Sequence, residues 1–216
     1  MPSFPGKLKK LRHLCESHSG GDSRRIPQYS VLGKLFSPVP RELPDGRPST
    51  LFDELFITLS ALAPRIREGM LLLSGDALLL FNPLQVDHPG RGVSALSFKA
   101  PASQGEHHGV YVLDGSGHVV RFLHKQPLSA LRKAGAVDSR GMVDIDTGAL
   151  IFSPDVLCRM LDFSDVWEGQ RLSLYGDFLY PMAEASTLTA FLREPAESGS
   201  PESLSDIRKR LWNVLR

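Results

Sequence analysis

The sequence predicts an α/β domain with a mixed sheet, and three observations carry that reading. Apolar runs of strand length at residues 70–73, 77–81, 93–98 and 142–152 alternate with segments of helical period. Residues 109–113 and 118–123 flank Asp114-Gly115-Ser116-Gly117, which is a hairpin signal. The chain carries 19 Gly and 16 Pro among 216 residues. That exceeds the roughly 12% of average usage and argues for many turns rather than a helical bundle.

Taken in order, residues 1–10 read as a loose tail. Residues 11–17 have strand length, but only Leu11, Leu14 and Cys15 are apolar. A glycine-rich turn with two arginines follows at 18–27, then Gly33-Lys34, then a loop punctuated by Pro38, Pro40, Pro44 and Pro48. Ser49 is placed to cap a helix, and Leu51, Phe52, Leu55, Phe56, Leu59 and Leu62 recur on one helical face, closed by Pro64. Residues 70–73 are too short for an ordinary helix and suit a buried strand. The run ends at Ser74-Gly75-Asp76, after which 77–81 resumes the apolar pattern. Segments 127–134 and 154–161 read as short helices around the long strand 142–152. Residues 193–202, rich in Glu, Ser, Gly and Pro, read as a linker. Leu204, Ile207, Leu211, Val214 and Leu215 then give a terminal amphipathic helix, with Arg208, Lys209 and Arg210 set opposite. The expected organisation is a tail at 1–10, one domain at 11–192, a linker at 193–202, and a helix at 203–216 that leads onward.

Composition excludes several classes. Hydrophobic residues at 42% and charged residues at 23% are ordinary for a folded domain. Lys plus Arg is 25 against 24 for Asp plus Glu, a formal charge of +1, so neither nucleic acid nor an anionic membrane is an expected partner. No apolar run approaches the ~18 residues of a membrane span, and no apolar core follows Lys7, Lys9 and Lys10 to make a signal peptide. Cys15 and Cys158 give no metal spacing and no disulfide framework, and a reducing cytoplasm is the expected compartment.

The candidate chemistry lies in a few loops. Gly20 and Gly21 allow backbone N–H groups close to phosphate oxygens, and Arg24, Arg25 and Lys34 bring positive charge. An ordinary Gly-Gly turn with surface arginines fits the same residues. Asp76 ends an apolar strand, where open α/β sheets bind ligands and a carboxylate can hold Mg²⁺; a turn aspartate fits equally. Asp146, in Asp146-Thr147-Gly148, and Asp177, in Tyr175-Gly176-Asp177, would clamp a metal only if they converge, and each singly reads as a turn or capping residue. Lys125 ends a strand and can meet a sugar phosphate as a point charge, or lie exposed. His107 and His108 lack a third ligand at metal spacing.

The order of these motifs says more than any one of them. His18-Ser19-Gly20-Gly21-Asp22-Ser23-Arg24-Arg25-Ile26-Pro27, Gly33-Lys34-Leu35-Phe36, Ser74-Gly75-Asp76, His108-Gly109-Val110-Tyr111, Asp146-Thr147-Gly148 and Ser173-Leu174-Tyr175-Gly176-Asp177 follow one another. With Ile207-Arg208-Lys209-Arg210-Leu211-Trp212 they resemble the pyrophosphorylase half of the bifunctional L-fucokinase/GDP-L-fucose pyrophosphorylase family, over nearly the whole chain. The resemblance implies a Rossmann-like nucleotidyltransferase fold of GT-A-like type, a mixed sheet flanked by helices. The family's following β-helix and its sugar-kinase domain lie outside these residues.

It implies the reaction of GTP with L-fucose 1-phosphate to give GDP-L-fucose and pyrophosphate, with Mg²⁺. Gly20, Gly21, Ser23 and Gly75 would bind the nucleotide. Arg24, Arg25, Lys34 and Asp76 would be catalytic. Gly109, Lys125, Asp146 and Gly148 would face the sugar phosphate, and Asp76 with Asp177 would hold the metal.

Overall fold

The computed structural model describes residues 13–18, 34–74, 77–163, 172–194 and 203–216. The chain divides into two units, each assembled from two stretches of sequence. One takes Met1–Leu96 and Thr147–Leu157, the other Ser97–Asp146 and Cys158–Arg216.

In the first unit, β1 (His13–His18) pairs in parallel with β4 (Gly69–Ser74), from His13 opposite Gly69 to His18 opposite Ser74. β4 pairs antiparallel with the last part of β8 (Met142–Phe152), Met70 opposite Phe152. A parallel pair beside an antiparallel one makes the sheet mixed, as the sequence predicts. The weakly apolar segment near the N-terminus is a strand because β4 supplies its backbone partners, which propensity alone does not report. Leu71 and Leu73 alternate inward along β4 and meet Ala149 and Ile151 of β8, with Leu62 and Ile66 over them. Residues 77–81, where the apolar pattern resumes, carry no ladder and run as irregular chain. Leu79 and Phe81 still pack on that core, so their apolar character reflects burial rather than strand pairing.

A short hairpin of β2 (Pro38–Glu42) and β3 (Pro48–Thr50) leads into α1 (Leu51–Leu62). The cap is Thr50, not the expected Ser49. Thr50 Oγ1 accepts from the Asp53 backbone N–H at 3.3 Å, while Asp53 Oδ2 takes the Thr50 N–H at 2.9 Å, completing a capping box. Ser49 is fully buried and donates to Glu54 Oε1 instead. The apolar stripe of α1 is also narrower than predicted. Leu55 and Leu62 face inward, whereas Phe52 and Phe56 lie exposed in a ladder with Phe36, at centroid spacings of 5.7 and 6.1 Å.

Arg47 donates to both oxygens of Asp53, at 3.1 and 3.0 Å, and holds its carboxyl well below the usual carboxylate range, helped by the Thr50 hydroxyl and N–H. A group whose folded pKa is depressed contributes stability above its unfolded pKa and loses it as pH falls. Denaturation midpoints are therefore expected to drop as pH falls below about 4, and Asp53→Asn is expected to flatten that part of the pH–stability curve.

Gly69 opens β4 at φ +137°, and a Cβ there would lie 2.3 Å from the carbonyl oxygen of Phe152. Gly69→Ala is expected to cost roughly 2–4 kcal/mol through strained backbone and overlap together, read as a lowered urea midpoint.

The second unit is built on β6 (Gly109–Leu113) and β7 (Val119–His124), the predicted hairpin, with β6 antiparallel to the first part of β8. The turn holds because Asp114 Oδ1 accepts from the N–H groups of Ser116 and His118. β5 (Val93–Pro101) pairs with β8. Val110, Val112, Val143 and Ile145 point inward and close on Leu131 of α2 (Leu128–Lys133). The predicted helix near residue 154 is α3 (Pro154–Phe163). A π-helical segment (Leu174–Leu179) precedes α4 (Leu188–Phe191) and α5 (Ser205–Leu215). Phe178, Phe191, Leu211 and Leu215 form a second core there. Between the π-helical segment and α4, the N–H groups of Glu184 and Ala185 donate to the carbonyls of Val119 and Val120, joining that stretch to β7.

Arg208 corrects the reading of α5. It lies not on the polar face but fully buried. Leu204, Arg208, Leu211 and Leu215 follow one another at spacings of four, three and four, which is one helical face. Lys209 and Arg210 remain exposed.

Candidate functional site

Of the predicted nucleotide-binding and catalytic residues, Gly20, Gly21, Ser23, Arg24, Arg25, Gly75 and Asp76 lie outside the described residues. The strands that lead into them do not. β1 and β4 are parallel and in register, and they end at His18 and Ser74. β1 and β4 thus present neighbouring carboxyl ends, the edge at which α/β sheets bind ligands. Gly148 reinforces this edge. At φ +72° it lets β8 approach Ser74 so closely that a Cβ would sit 3.0 Å from the Ser74 Cβ. Thr147 fixes the same stretch by donating its hydroxyl to the Leu96 carbonyl at 2.7 Å.

Lys34 stands on a short 3₁₀ turn (Lys34–Phe36) in the same unit. The Ser37 N–H donates to the Lys34 carbonyl at 3.0 Å, and the Leu51 N–H to the Ser37 carbonyl at 3.0 Å, so the turn is tied to the start of α1.

The sugar-phosphate candidates Gly109, Lys125 and Asp146 share the second unit, and the structure brings them together. Alternation along β8 turns Val143 and Ile145 into the core and leaves Asp144 and Asp146 on the other face. Lys99 neutralises Asp144 at 2.8 Å. Asp146 accepts a hydrogen bond from the Tyr111 hydroxyl at 2.8 Å. Gly109 stands opposite, and a Cβ there would lie 2.6 Å from the Phe122 ring and 3.2 Å from the Asp146 Cβ. Glycine at 109 is thus required for the Phe122 ring and Asp146 to pack this close to β6.

Phe122 stacks on His124 at 6.4 Å, and burial, then the neighbouring Lys125, push the His124 imidazole below its ordinary value, Asp146 opposing them. Lys125 follows at φ +49°, a left-handed conformation rare outside glycine, with its N–H donating to the His108 carbonyl at 3.0 Å. A strained non-glycine residue beside a carboxylate and an imidazole is the kind of feature that collects at functional sites. Tyr111, Phe122 and His124 escape a reading based on charged residues. The available signal is the period of two, which places Gly109 with Tyr111 on one face of β6.

Asp177 departs from the expectation. Its carboxylate is fully buried, with Oδ1 accepting from Arg208 Nε at 2.8 Å and Oδ2 from the Ser173 N–H at 2.7 Å. Both oxygens are engaged away from water, so the described geometry does not fit a metal ligand at Asp177. Among the described residues, no group of three or more His, Cys, Asp or Glu is placed to hold a metal ion. None of the described helices is long and apolar enough to cross a membrane.

The sequence profile of the fucose pyrophosphorylase domain matches residues 14–216. The chain belongs to that family. Fucose pyrophosphorylase relatives include a bifunctional fucokinase/GDP-fucose pyrophosphorylase of Arabidopsis thaliana, 27% identical over 78% of this chain and 18% of the relative. Fucose-1-phosphate guanylyltransferases of Mus musculus and Homo sapiens are each 27% identical over 92% of this chain, covering 39% and 38% of their own lengths. The chain thus spans well under half the length of these curated relatives.

Proposed function

We propose that this fucose pyrophosphorylase chain is a nucleotidyltransferase that joins GTP and L-fucose 1-phosphate into GDP-L-fucose, releasing pyrophosphate. The observation that carries the reading is the family match over residues 14–216. The names of the mouse and human relatives support the substrates, and the parallel pair of β1 and β4 supports a Rossmann-like nucleotidyltransferase arrangement.

In the reaction, an oxygen of the sugar phosphate attacks the α-phosphorus of GTP. The bond from that phosphorus to the bridging oxygen breaks, and pyrophosphate leaves. The attacking phosphate is already ionised, so no general base is required. What the protein must supply is alignment and offset of negative charge. Gly20, Gly21, Ser23 and Gly75 are assigned to the nucleotide, with Arg24, Arg25 and Lys34 as the cations along its phosphates. Gly109, Lys125, Asp146 and Gly148 are assigned to the sugar phosphate. The Mg²⁺ expected with the triphosphate is assigned to Asp76, where it would offset charge, and Asp177 is withdrawn from that role. The expected setting is the cytoplasm, within a longer protein whose other regions include a β-helix and a sugar kinase.

Pyrophosphate release by the purified chain with GTP, Mg²⁺ and L-fucose 1-phosphate tests this, with UTP and ATP as controls. Release confined to GTP is the expected result. Nucleotide binding by a folded sample with no release would instead mark a non-catalytic fragment, and equal release with UTP would overturn the base assignment.

A further inference from the structure

Strand β6 carries one buried polar contact that the assignments above leave without a task. Tyr111 is 3% exposed, and its hydroxyl donates to Asp146 Oδ1 at 2.8 Å. Its ring packs on Phe122 at 5.3 Å, tilted by 57°. Phenylalanine would serve that packing equally well, so the hydroxyl is the part that needs explaining. Register supplies the rest. Val110 lies opposite Ile145 and Tyr111 opposite Asp144, so Tyr111 reaches Asp146 diagonally along the sheet face that also presents Gly109.

We propose that Tyr111 is a positioning residue whose hydroxyl fixes the rotation of the Asp146 carboxylate for the hydroxyl groups of the sugar phosphate. This rests on the functional reading given above. The terminal torsion of aspartate is broad and roughly two-fold, so an untethered carboxylate samples many orientations. A hydrogen bond to a charged acceptor is among the stronger ones and removes that freedom. A carboxylate offers about four acceptor positions, and Tyr111 occupies one of them. Gly109 backs Asp146 from the adjacent strand β6, where a Cβ would lie 3.2 Å from the Asp146 Cβ.

The test is Tyr111→Phe, which keeps the ring and removes the hydroxyl, assayed in the full chain by pyrophosphate release. The KM for L-fucose 1-phosphate is expected to rise about tenfold, in line with the loss of one charge-assisted hydrogen bond, while the KM for GTP stays within about twofold. In an Asp146→Ala background the same change is expected to move the sugar-phosphate KM by less than about twofold, because the group being oriented is gone. An unchanged sugar-phosphate KM in Tyr111→Phe, or a full tenfold effect persisting in Asp146→Ala, overturns the proposal. So does a fall in thermal midpoint with both KM values moving together, which marks a structural role alone.

Calorimetry with L-fucose 1-phosphate reads the same shift as a Kd if the chain binds without turnover. An active wild type with an indifferent Tyr111→Phe sinks this proposal only. A folded wild type that neither releases pyrophosphate nor binds the sugar phosphate sinks the functional reading and the proposal with it.

Discussion

Replacing Arg208 by methionine is expected to destabilise the chain by about 3–5 kcal/mol, the cost of leaving a buried charge without its partner. Arg208 and Asp177 are both fully buried. The guanidinium donates to Asp177 Oδ1 at 2.8 Å and to the backbone carbonyls of Phe191 and Glu194 at 3.3 and 2.5 Å, and lies 5.4 Å from the Phe191 ring. One side chain therefore ties α5 to the π-helical segment and to α4. Methionine fills similar volume but donates nothing. The Asp177 carboxylate would then face apolar surroundings with only the Ser173 N–H among its described partners.

The double variant Arg208→Met with Asp177→Leu is expected to recover much of the loss, since neither charge remains to be desolvated. Urea denaturation of the wild type, Arg208→Met and the double variant reads this directly. A single variant within about 1 kcal/mol of wild type would show that the pair is not the anchor described.

Glu194 adds a pH signature. Burial pushes its carboxyl above the ordinary range, and Arg208 is the largest opposing influence. Without Arg208 the shift grows. A carboxyl whose folded pKa is raised destabilises the fold once pH climbs past its unfolded value, and the cost is complete above the folded one. The variant's stability is therefore expected to fall more steeply with rising pH than that of the wild type, over a window that starts near the ordinary glutamate pKa.

Asp76→Asn is expected to lower GDP-L-fucose formation by about 100-fold or more, with the urea midpoint close to wild type. Removing one preorganised electrostatic contact at a reacting phosphate costs on the order of 10²–10³ in rate. A carboxylate assigned to a site for anionic substrates needs a cation between them, so the expected consequence of losing its charge is loss of that cation. The stability expectation follows from position, because Asp76 lies past the last residue of β4. Turnover and unfolding measured on one preparation separate the two aspartates. Asp76→Asn should lose rate and keep its fold, whereas Asp177→Asn should weaken the fold, and added Mg²⁺ should not rescue it. Retained turnover in Asp76→Asn would remove Asp76 from the site, and a folded but inactive Asp177→Asn would return Asp177 to it.

The sequence by itself determined the alternation of strands and helices, the hairpin closed by Asp114, the C-terminal limit of α1 and the family. Those features depend on local periodicity, turn chemistry and motif order, which a linear string records. It also pointed to Gly109, Lys125 and Asp146, now neighbours in one unit. Tertiary structure decided what depends on a partner distant in sequence. His13–His18 is a strand because Gly69–Ser74 lies beside it. Asp177 turns from an expected metal ligand into half of a buried ion pair because a helix 31 residues away delivers Arg208. The spacing of Leu204, Arg208, Leu211 and Leu215 already held that answer, yet an arginine at a core position is stable only with a fully paired guanidinium, and sequence cannot show the pairing. Tyr111 shows the same limit, since a strand's period gives its face, while only the register of β6 against β8 gives it Asp146.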